Sequence, residues 1–165
     1  MGGRLLTVDA GVKDNRGLEG RPDVPTFTTP PLGSALEIAG CPWWNFHSRD
    51  NPFADLFVRL RDVDPRGQSR NFSDAHLRLD PTSAAEPAQR VELRLDACTH
   101  RLPAGHRLRL LVSGGSHPRY SRNEGTGAPP GTGTELRPCV PRSGTPTRLP
   151  GSFSRLRADP TGWSH

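Results

Sequence analysis

The sequence has few aromatic residues, little lysine and little cysteine. Aromatic residues make up 6% of its 165 positions, and Lys13 is the one lysine among 22 basic residues. Cys41, Cys98 and Cys139 are odd in number and far apart along the chain. This spacing indicates neither a disulfide framework nor a Cys-x-x-Cys zinc clip, and scattered reduced thiols fit it better.

Long apolar runs are also missing. No stretch of eighteen apolar residues occurs, and the chain opens without the charged and then apolar segments of a secretory leader. We therefore expect a cytoplasmic protein with no membrane partner. A leader lost upstream would leave the same sequence.

The excess of positive charge does not indicate a nucleic-acid partner, although the formal net charge is +5. Basic residues occupy alternating strand positions with carboxylates between them, whereas a nucleic-acid footprint gathers basic and aromatic residues on one patch. The pattern predicts a solvated sheet face. The arginines concerned are Arg59, Arg61, Arg78, Arg90, Arg94, Arg107 and Arg109.

Glycine and proline are abundant, with 18 of each, while hydrophobic residues make up only 32% of the chain. Both residue types are costly inside helices and suit the tight turns of an all-β fold. Alternation of apolar and polar residues predicts short strands, which together favour a β-sandwich or jelly roll. The predicted strands cover residues 36–40, 44–47, 54–63, 71–79, 91–97 and 107–112.

The pattern divides the chain into three regions. Residues 1–34 show no sustained period and are predicted to be an extended lead-in, residues 35–136 form the single sandwich domain, and residues 137–165 are an irregular tail. Leu149 and Phe153 are candidates for a final strand in that tail, but the proline and glycine between them weaken this interpretation.

Ser116 and His117 are the residues that most invite a catalytic interpretation. A serine hydrolase needs a nucleophile on a strained turn, an imidazole to take its proton and a carboxylate to orient that imidazole. Gly-Ser-His-Pro at 115–118 is not the Gly-x-Ser-x-Gly elbow, and that elbow occurs nowhere in the chain. We therefore interpret both as loop residues; they would form an independent hydrolase site only by converging with a carboxylate.

A metal site is the second possibility weighed. Cys98 and His100 would share a face if their strand continues, and His106 follows across a tight turn, so a zinc tripod is geometrically allowed. The spacing is not that of known zinc motifs, and ordinary turn histidines are the favoured interpretation. Asp62 and Asp64 flank a strand end, where aspartate usually caps a turn through its own backbone.

Two further features have structural explanations. The glycines at 125, 127, 131 and 133 are not followed by a Lys-Ser/Thr pair or a helix start, so they indicate a flexible connection rather than a phosphate loop. Trp43 and Trp44 could stack on a sugar, but one of two adjacent strand residues normally faces the core.

Three segments, in consistent order, resemble the C-terminal domain of the CocE/NonD hydrolases, a family of cocaine-esterase-like enzymes and Xaa-Pro dipeptidyl-peptidases. They are residues 11–32 (GVKDNRGLEGRPDVPTFTTPPL), 54–71 (ADLFVRLRDVDPRGQSRN) and 105–127 (GHRLRLLVSGGSHPRYSRNEGTG). The tail after Leu136 follows the family poorly, as a truncated gene or a shifted reading frame would produce.

The resemblance implies a galactose-binding-like jelly roll that follows an α/β-hydrolase domain. The Ser-His-Asp triad of such enzymes belongs to that catalytic domain, and no family catalytic residue maps onto this chain. We expect no catalytic, cofactor or metal residues here, and a hydrolase domain in cis or in trans as the partner. The alternative is a free-standing jelly-roll module that binds a carbohydrate or a protein, with Trp43, Trp44 and Tyr120 as candidate contacts.

Overall fold

A computed structural model describes residues 14, 16–48, 52–79, 89–116, 119–129 and 132–137, with the backbone alone for residues 18, 43–48 and 89–92. It contains one short helix and eight strands in these ranges. They are α1 (Arg16–Glu19), β1 (Thr26–Thr28), β2 (Leu36–Gly40), β3 (Trp43–Ser48), β4 (Asp55–Val63), β5 (Ser69–Arg78), β6 (Gln89–Arg94), β7 (Cys98–Leu102) and β8 (Arg107–Ser113). No helix within these ranges is long and apolar enough to cross a membrane.

The strands pair in a nested order. The first strand pairs with the eighth, the second with the seventh, the third with the sixth and the fourth with the fifth, all antiparallel. A further pairing of β4 with β8 joins four strands into one sheet in the order β1-β8-β4-β5. Nested antiparallel pairing is the winding of a jelly roll, so the predicted mainly-β fold is confirmed.

The core lies between the four-stranded sheet and the β2-β7 and β3-β6 pairs. From the larger sheet, alternate residues of the central strands enter it, because successive side chains of a strand point to opposite faces. Ile38 and Leu102 enter from the opposite layer, at 1% and 0% exposure. The larger sheet contributes Phe27, Leu56, Val58, Leu60, Ala75, Leu108, Leu110 and Val112.

Two strand boundaries differ from the prediction. The alternation over 91–97 suggested one strand, but β6 ends at Arg94 and a separate strand, β7, begins at Cys98. At this break the Leu95 N–H donates to the Pro42 carbonyl and the Asp96 N–H donates to the Asp74 carbonyl. The chain leaves its pairing with β3 after Arg94 and pairs with β2 from Cys98. The alternation of apolar and polar residues continues across this break and therefore does not predict it.

The lead-in also contains a strand that the sequence pattern did not predict. Phe27 of β1 pairs with Leu110 and is 1% exposed. Beyond β1 the chain stays on the same edge, since the Leu32 N–H donates to the His106 carbonyl and the Gly105 N–H donates to the Leu32 carbonyl. A three-residue strand is too short to show a period, and its pairing partner is more than 80 residues away.

Candidate functional site

The serine that most resembles a nucleophile is not in a catalytic arrangement among the described residues. Ser116 lies just after β8, where its carbonyl accepts the Tyr120 N–H at 3.1 Å. No serine hydroxyl of the described residues is hydrogen-bonded to an imidazole, while His117 falls outside those residues. The interpretation of Ser116 and His117 as loop residues therefore stays a prediction.

Two of the histidines considered for a metal site do come together, around a carboxylate. The Nε2 of His100 lies 3.0 Å from Asp62 Oδ2, and the Nδ1 of His106 lies 2.6 Å from Asp62 Oδ1. We call this group the imidazole bridge. Asp62 ends the inner face of β4, His100 belongs to β7 in the opposite layer, and His106 precedes β8, so the bridge ties the two layers together.

A β-bulge helps to position the imidazole bridge. The register of β4 with β5 shifts between Leu60 and Arg61, leaving Phe72 as an extra residue in β5. The bulge bends the strand and re-aims this side chain. Phe72 packs against the core and stacks on His100, with 4.3 Å between ring centroids and 6° between ring planes.

The imidazole bridge has a structural rather than a catalytic arrangement. In a triad the carboxylate orients one imidazole, whose second nitrogen faces a nucleophile. Here each carboxylate oxygen of Asp62 is hydrogen-bonded to a different imidazole ring. Among the described residues, no group of three His, Cys, Asp or Glu side chains is arranged to hold a metal ion, and Cys98 is separate from the bridge and packs against the core.

The turn-capping role predicted for both aspartates applies to one of them. Asp64 Oδ1 accepts the backbone N–H groups of Arg66 and Gln68 at 2.9 and 2.8 Å, and its carbonyl accepts the Gly67 N–H. For Asp62 the prediction is wrong, because its carboxylate reaches the imidazoles instead. Their approach depends on the sandwich closing, which brings β7 next to the end of β4.

Replacing Asp62 by asparagine should lower the free energy of unfolding by about 1–3 kcal/mol, because the amide offers one acceptor for two imidazole N–H groups. Urea denaturation at pH 7 measures the change. Asp96→Asn is the control, since the Asp96 side chain is 68% exposed. Equal stability of the two variants would contradict a stabilising role for the imidazole bridge.

The outer face of the four-stranded sheet is covered, so the predicted solvated arginine face is wrong for this sheet. Arg94 of β6 is exposed as predicted, and the Arg90 side chain lies outside the described residues. Arg61 is fully buried and donates to Glu19 Oε1 at 2.7 Å. Arg109 and the Ser69 hydroxyl also donate to the Glu19 carboxylate. We call these four residues the glutamate clasp; it fixes the lead-in, through the end of α1, onto β4, β5 and β8.

The loop after β8 covers the other half of this face. Tyr120 stacks on His76 with 4.2 Å between centroids and packs against Phe57. Arg119 donates to Asp74 Oδ2 at 2.7 Å. Arg59 donates to the same oxygen at 3.0 Å.

Tyr120 is a poor candidate for the sugar contact considered above, because its ring packs against His76 and Phe57 inside the domain. The side chains of Trp43 and Trp44 lie outside the described residues.

Asp55 anchors the same loop. Burial raises the pKa of this carboxyl, but hydrogen bonds from Arg78 and Asn123, together with His76 Nε2 at 3.1 Å from Oδ2, outweigh burial and hold the pKa below its ordinary value. The Asn123 amide donates at 2.7 Å to both Asp55 Oδ1 and the Phe53 carbonyl. The ionised carboxylate is therefore the form that stabilises the loop.

A pH dependence follows from the lowered pKa of Asp55. The unfolded chain protonates this group at a higher pH than the folded chain, so its contribution is complete above about pH 4 and is lost as the pH falls through the folded-state pKa. Asp55→Asn should be less stable at pH 7 and should lose less further stability on acidification. Denaturant midpoints measured at several pH values check this. If the midpoint of Asp55→Asn fell with decreasing pH as steeply as the midpoint of Asp96→Asn, the prediction would be contradicted.

The glycine-rich segment has packing roles. Gly125 is buried. Gly127 has φ +82°, and a Cβ added to it would lie 2.4 Å from Cε1 of the Phe53 ring.

Gly127→Ala should lower the free energy of unfolding by about 1–2 kcal/mol for the backbone conformation alone, and the clash with Phe53 adds to this cost. Gly17→Ala, in α1 with open space around it, is the control and should be neutral or slightly stabilising. Thermal unfolding of both variants decides the matter, and equal midpoints would contradict the packing role.

The amino-acid sequence of this chain matches a known family. Residues 6–149 match the model of the X-Pro dipeptidyl-peptidase C-terminal non-catalytic domain. The chain belongs to this family. The resemblance to the C-terminal domain of CocE/NonD hydrolases that the sequence motifs indicated is thereby confirmed.

Relatives of this dipeptidyl-peptidase C-terminal domain are larger proteins. The cocaine esterase of Rhodococcus sp. (strain MB1 Bresler) is 30% identical over 139 residues, which cover 77% of this chain and 24% of that protein. A solved α-amino acid ester hydrolase has a TM-score of 0.65 at 29% identity, covering 72% of this chain and 22% of its own. An aminopeptidase from a marine-sediment Thaumarchaeota archaeon gives a TM-score of 0.65 at 25% identity, with the same coverage.

The chain thus spans about a quarter of the length of these relatives, which carry this domain in cis with an α/β-hydrolase catalytic domain. The site residues that sequence reasoning missed are those of the glutamate clasp. Glu19 lies in an aperiodic segment and offers no sequence signal. Strand and turn spacing placed His100 and His106 near each other only within a zinc tripod with Cys98 that was not the favoured interpretation. The structure brings the two histidines together on Asp62, without Cys98.

Proposed function

We propose that this chain serves as the non-catalytic C-terminal domain of a serine hydrolase of the CocE/NonD type. The observation that supports this most strongly is the family match over residues 6–149, together with a jelly roll whose described polar clusters all tie parts of the domain to each other. In this proposal an α/β-hydrolase domain, in cis or in trans, cleaves acyl esters or removes Xaa-Pro dipeptides. The present domain packs against it and helps to wall the substrate cleft.

The first test is activity. The purified chain, assayed with acyl esters and Xaa-Pro dipeptide substrates, should show no turnover, since loss of a serine triad costs on the order of a millionfold in kcat. Turnover that disappears in Ser116→Ala would overturn the proposal and favour an independent hydrolase.

The second test is association. A hydrolase domain of the same family, supplied as a separate polypeptide, should form a complex with this chain that elutes earlier in gel filtration. The absence of a complex at micromolar concentration would count against packing in trans.

A further inference from the structure

A small pocket opens at the end of the sandwich where the turn between β4 and β5 meets the turn between β7 and β8. Its volume is about 230 Å³, enough for a small polar group. The two turns lie close together here, since a Cβ added at Gly105 would come to 3.9 Å from the Pro65 ring. We call it the turn pocket; its lining residues are Asp62, Asp64, Pro65, Arg66, Gln68, Arg70 and His106.

The carboxylates of the turn pocket are already engaged. The two oxygens of Asp62 are hydrogen-bonded to the His100 and His106 rings of the imidazole bridge. Asp64 Oδ1 accepts two backbone N–H groups of its turn. Asp14, whose backbone forms a bridge with Arg70, pairs its carboxylate with Arg16 at 2.7 Å. The negative charges around the pocket thus have donors of their own.

The arginines of the turn pocket are not matched by carboxylates. Within the described part of the chain, neither Arg66 nor Arg70 forms an ion pair, and the one side-chain partner of Arg70 is the neutral Gln68 Oε1 at 2.6 Å. Both side chains are exposed. Most other described arginines do pair with a carboxylate: Arg16, Arg21, Arg59, Arg61, Arg78, Arg101, Arg109 and Arg119.

Arg66 and Arg70, which form no ion pair within the described ranges, thus line one pocket together. The planar guanidinium fork of arginine matches a carboxylate in a bidentate geometry. The Asp62 and Asp64 side chains repel an anion in proportion to its charge, so the pocket disfavours a phosphate dianion more than a carboxylate. We propose that the turn pocket receives a carboxylate side chain of the hydrolase domain. This rests on the proposed function, which supplies a protein partner, and on the exposed position of Arg66 at the tip of a turn.

The pocket can be tested on this chain alone. In ¹H–¹⁵N spectra, sodium acetate added at constant ionic strength should shift the Nε signals of Arg66 and Arg70 and the amides of residues 64–70, with saturation. The double variant Arg66→Gln/Arg70→Gln should lose this response. Arg122→Gln is the matched control, because Arg122 is likewise exposed and forms no ion pair with the described residues. Shifts that fail to saturate, or that persist in the double variant, would overturn the site.

The docking role is tested by association with the separately supplied hydrolase domain. The double variant should weaken binding about fivefold to tenfold, as expected for two exposed ion pairs, and Arg122→Gln should leave it unchanged. Equal weakening by both variants would overturn the docking role. If wild type shows saturable acetate binding but no complex with the hydrolase domain, the pocket takes a free acid, which overturns docking and counts separately against the proposed function.

Discussion

Replacing Glu19 by alanine is expected to lower the free energy of unfolding by about 3–5 kcal/mol, the usual cost of removing one partner of a buried ion pair. Arg61 is fully buried, and burial lowers its pKa, which means that the charged form depends on Glu19 for compensation. Arg109 and Ser69 lose their acceptor in the same step. Such a loss is a large fraction of the stability of a single domain.

The control for Glu19→Ala is Glu37→Ala. Glu37 also faces an arginine, Arg101, at 3.8 Å, but its side chain is 78% exposed, so its loss should cost no more than about 1 kcal/mol. Guanidinium denaturation followed by circular dichroism measures both variants. Should Glu19→Ala unfold completely, Glu19→Gln and the double variant Glu19→Gln/Arg61→Met keep the test usable, because removing the buried charge should restore part of the stability. Similar costs for Glu19→Ala and Glu37→Ala would contradict the glutamate clasp.

Replacing Phe27 by alanine is expected to cost about 3–5 kcal/mol, the range for removing a buried phenyl ring and leaving a cavity. Phe27 is 1% exposed and belongs to the main core, although it lies in the segment predicted to be an extended lead-in. If residues 1–34 were only a lead-in, the substitution would change stability by no more than about 0.5 kcal/mol. The measurement therefore separates the two descriptions.

Leu136→Ala is the control for Phe27→Ala. Leu136 is 54% exposed, the one large hydrophobic side chain with high exposure in the described part of the chain. Its removal should leave the denaturation midpoint nearly unchanged. A cost for Phe27→Ala that is as small as this would show that β1 does not contribute to the core.

Much of the β architecture was predictable because alternation is a local property. The strand predicted over 54–63 corresponds to β4. The sequence Asp64-Pro65-Arg66-Gly67 is typical of a type I turn, and the Gly67 N–H does donate to the Asp64 carbonyl. The sequence Leu102-Pro103-Ala104-Gly105, with proline second and glycine fourth, predicts another turn. The turn lies one residue later, because the His106 N–H donates to the Pro103 carbonyl. Gly105 then sits at the third position with φ +83°, where a left-handed backbone favours glycine.

The buried arginine was not predictable, because the alternation of β4 is the same whether its second face meets water or another segment. The alternation of β4 predicts that the Arg61 side chain faces solvent. Its burial depends on Glu19, which is 42 residues earlier in the chain, and on the path of α1 over the sheet. Sequence alternation specifies faces but not what covers them.

The sequence by itself determined the mainly-β class, the turns and the family, since these depend on residue types at short spacing and on ordered motifs. The tertiary structure alone decided that one aspartate joins two imidazoles across the layers and that a lead-in glutamate holds a buried arginine. It also decided that two arginines beside a pocket form no ion pair with any residue that the structure describes. Each of these depends on residues far apart in the chain meeting when the two layers close. The ion pairs and hydrogen bonds that stabilise such contacts form only in the folded structure, so the local alternation of residue types does not predict them.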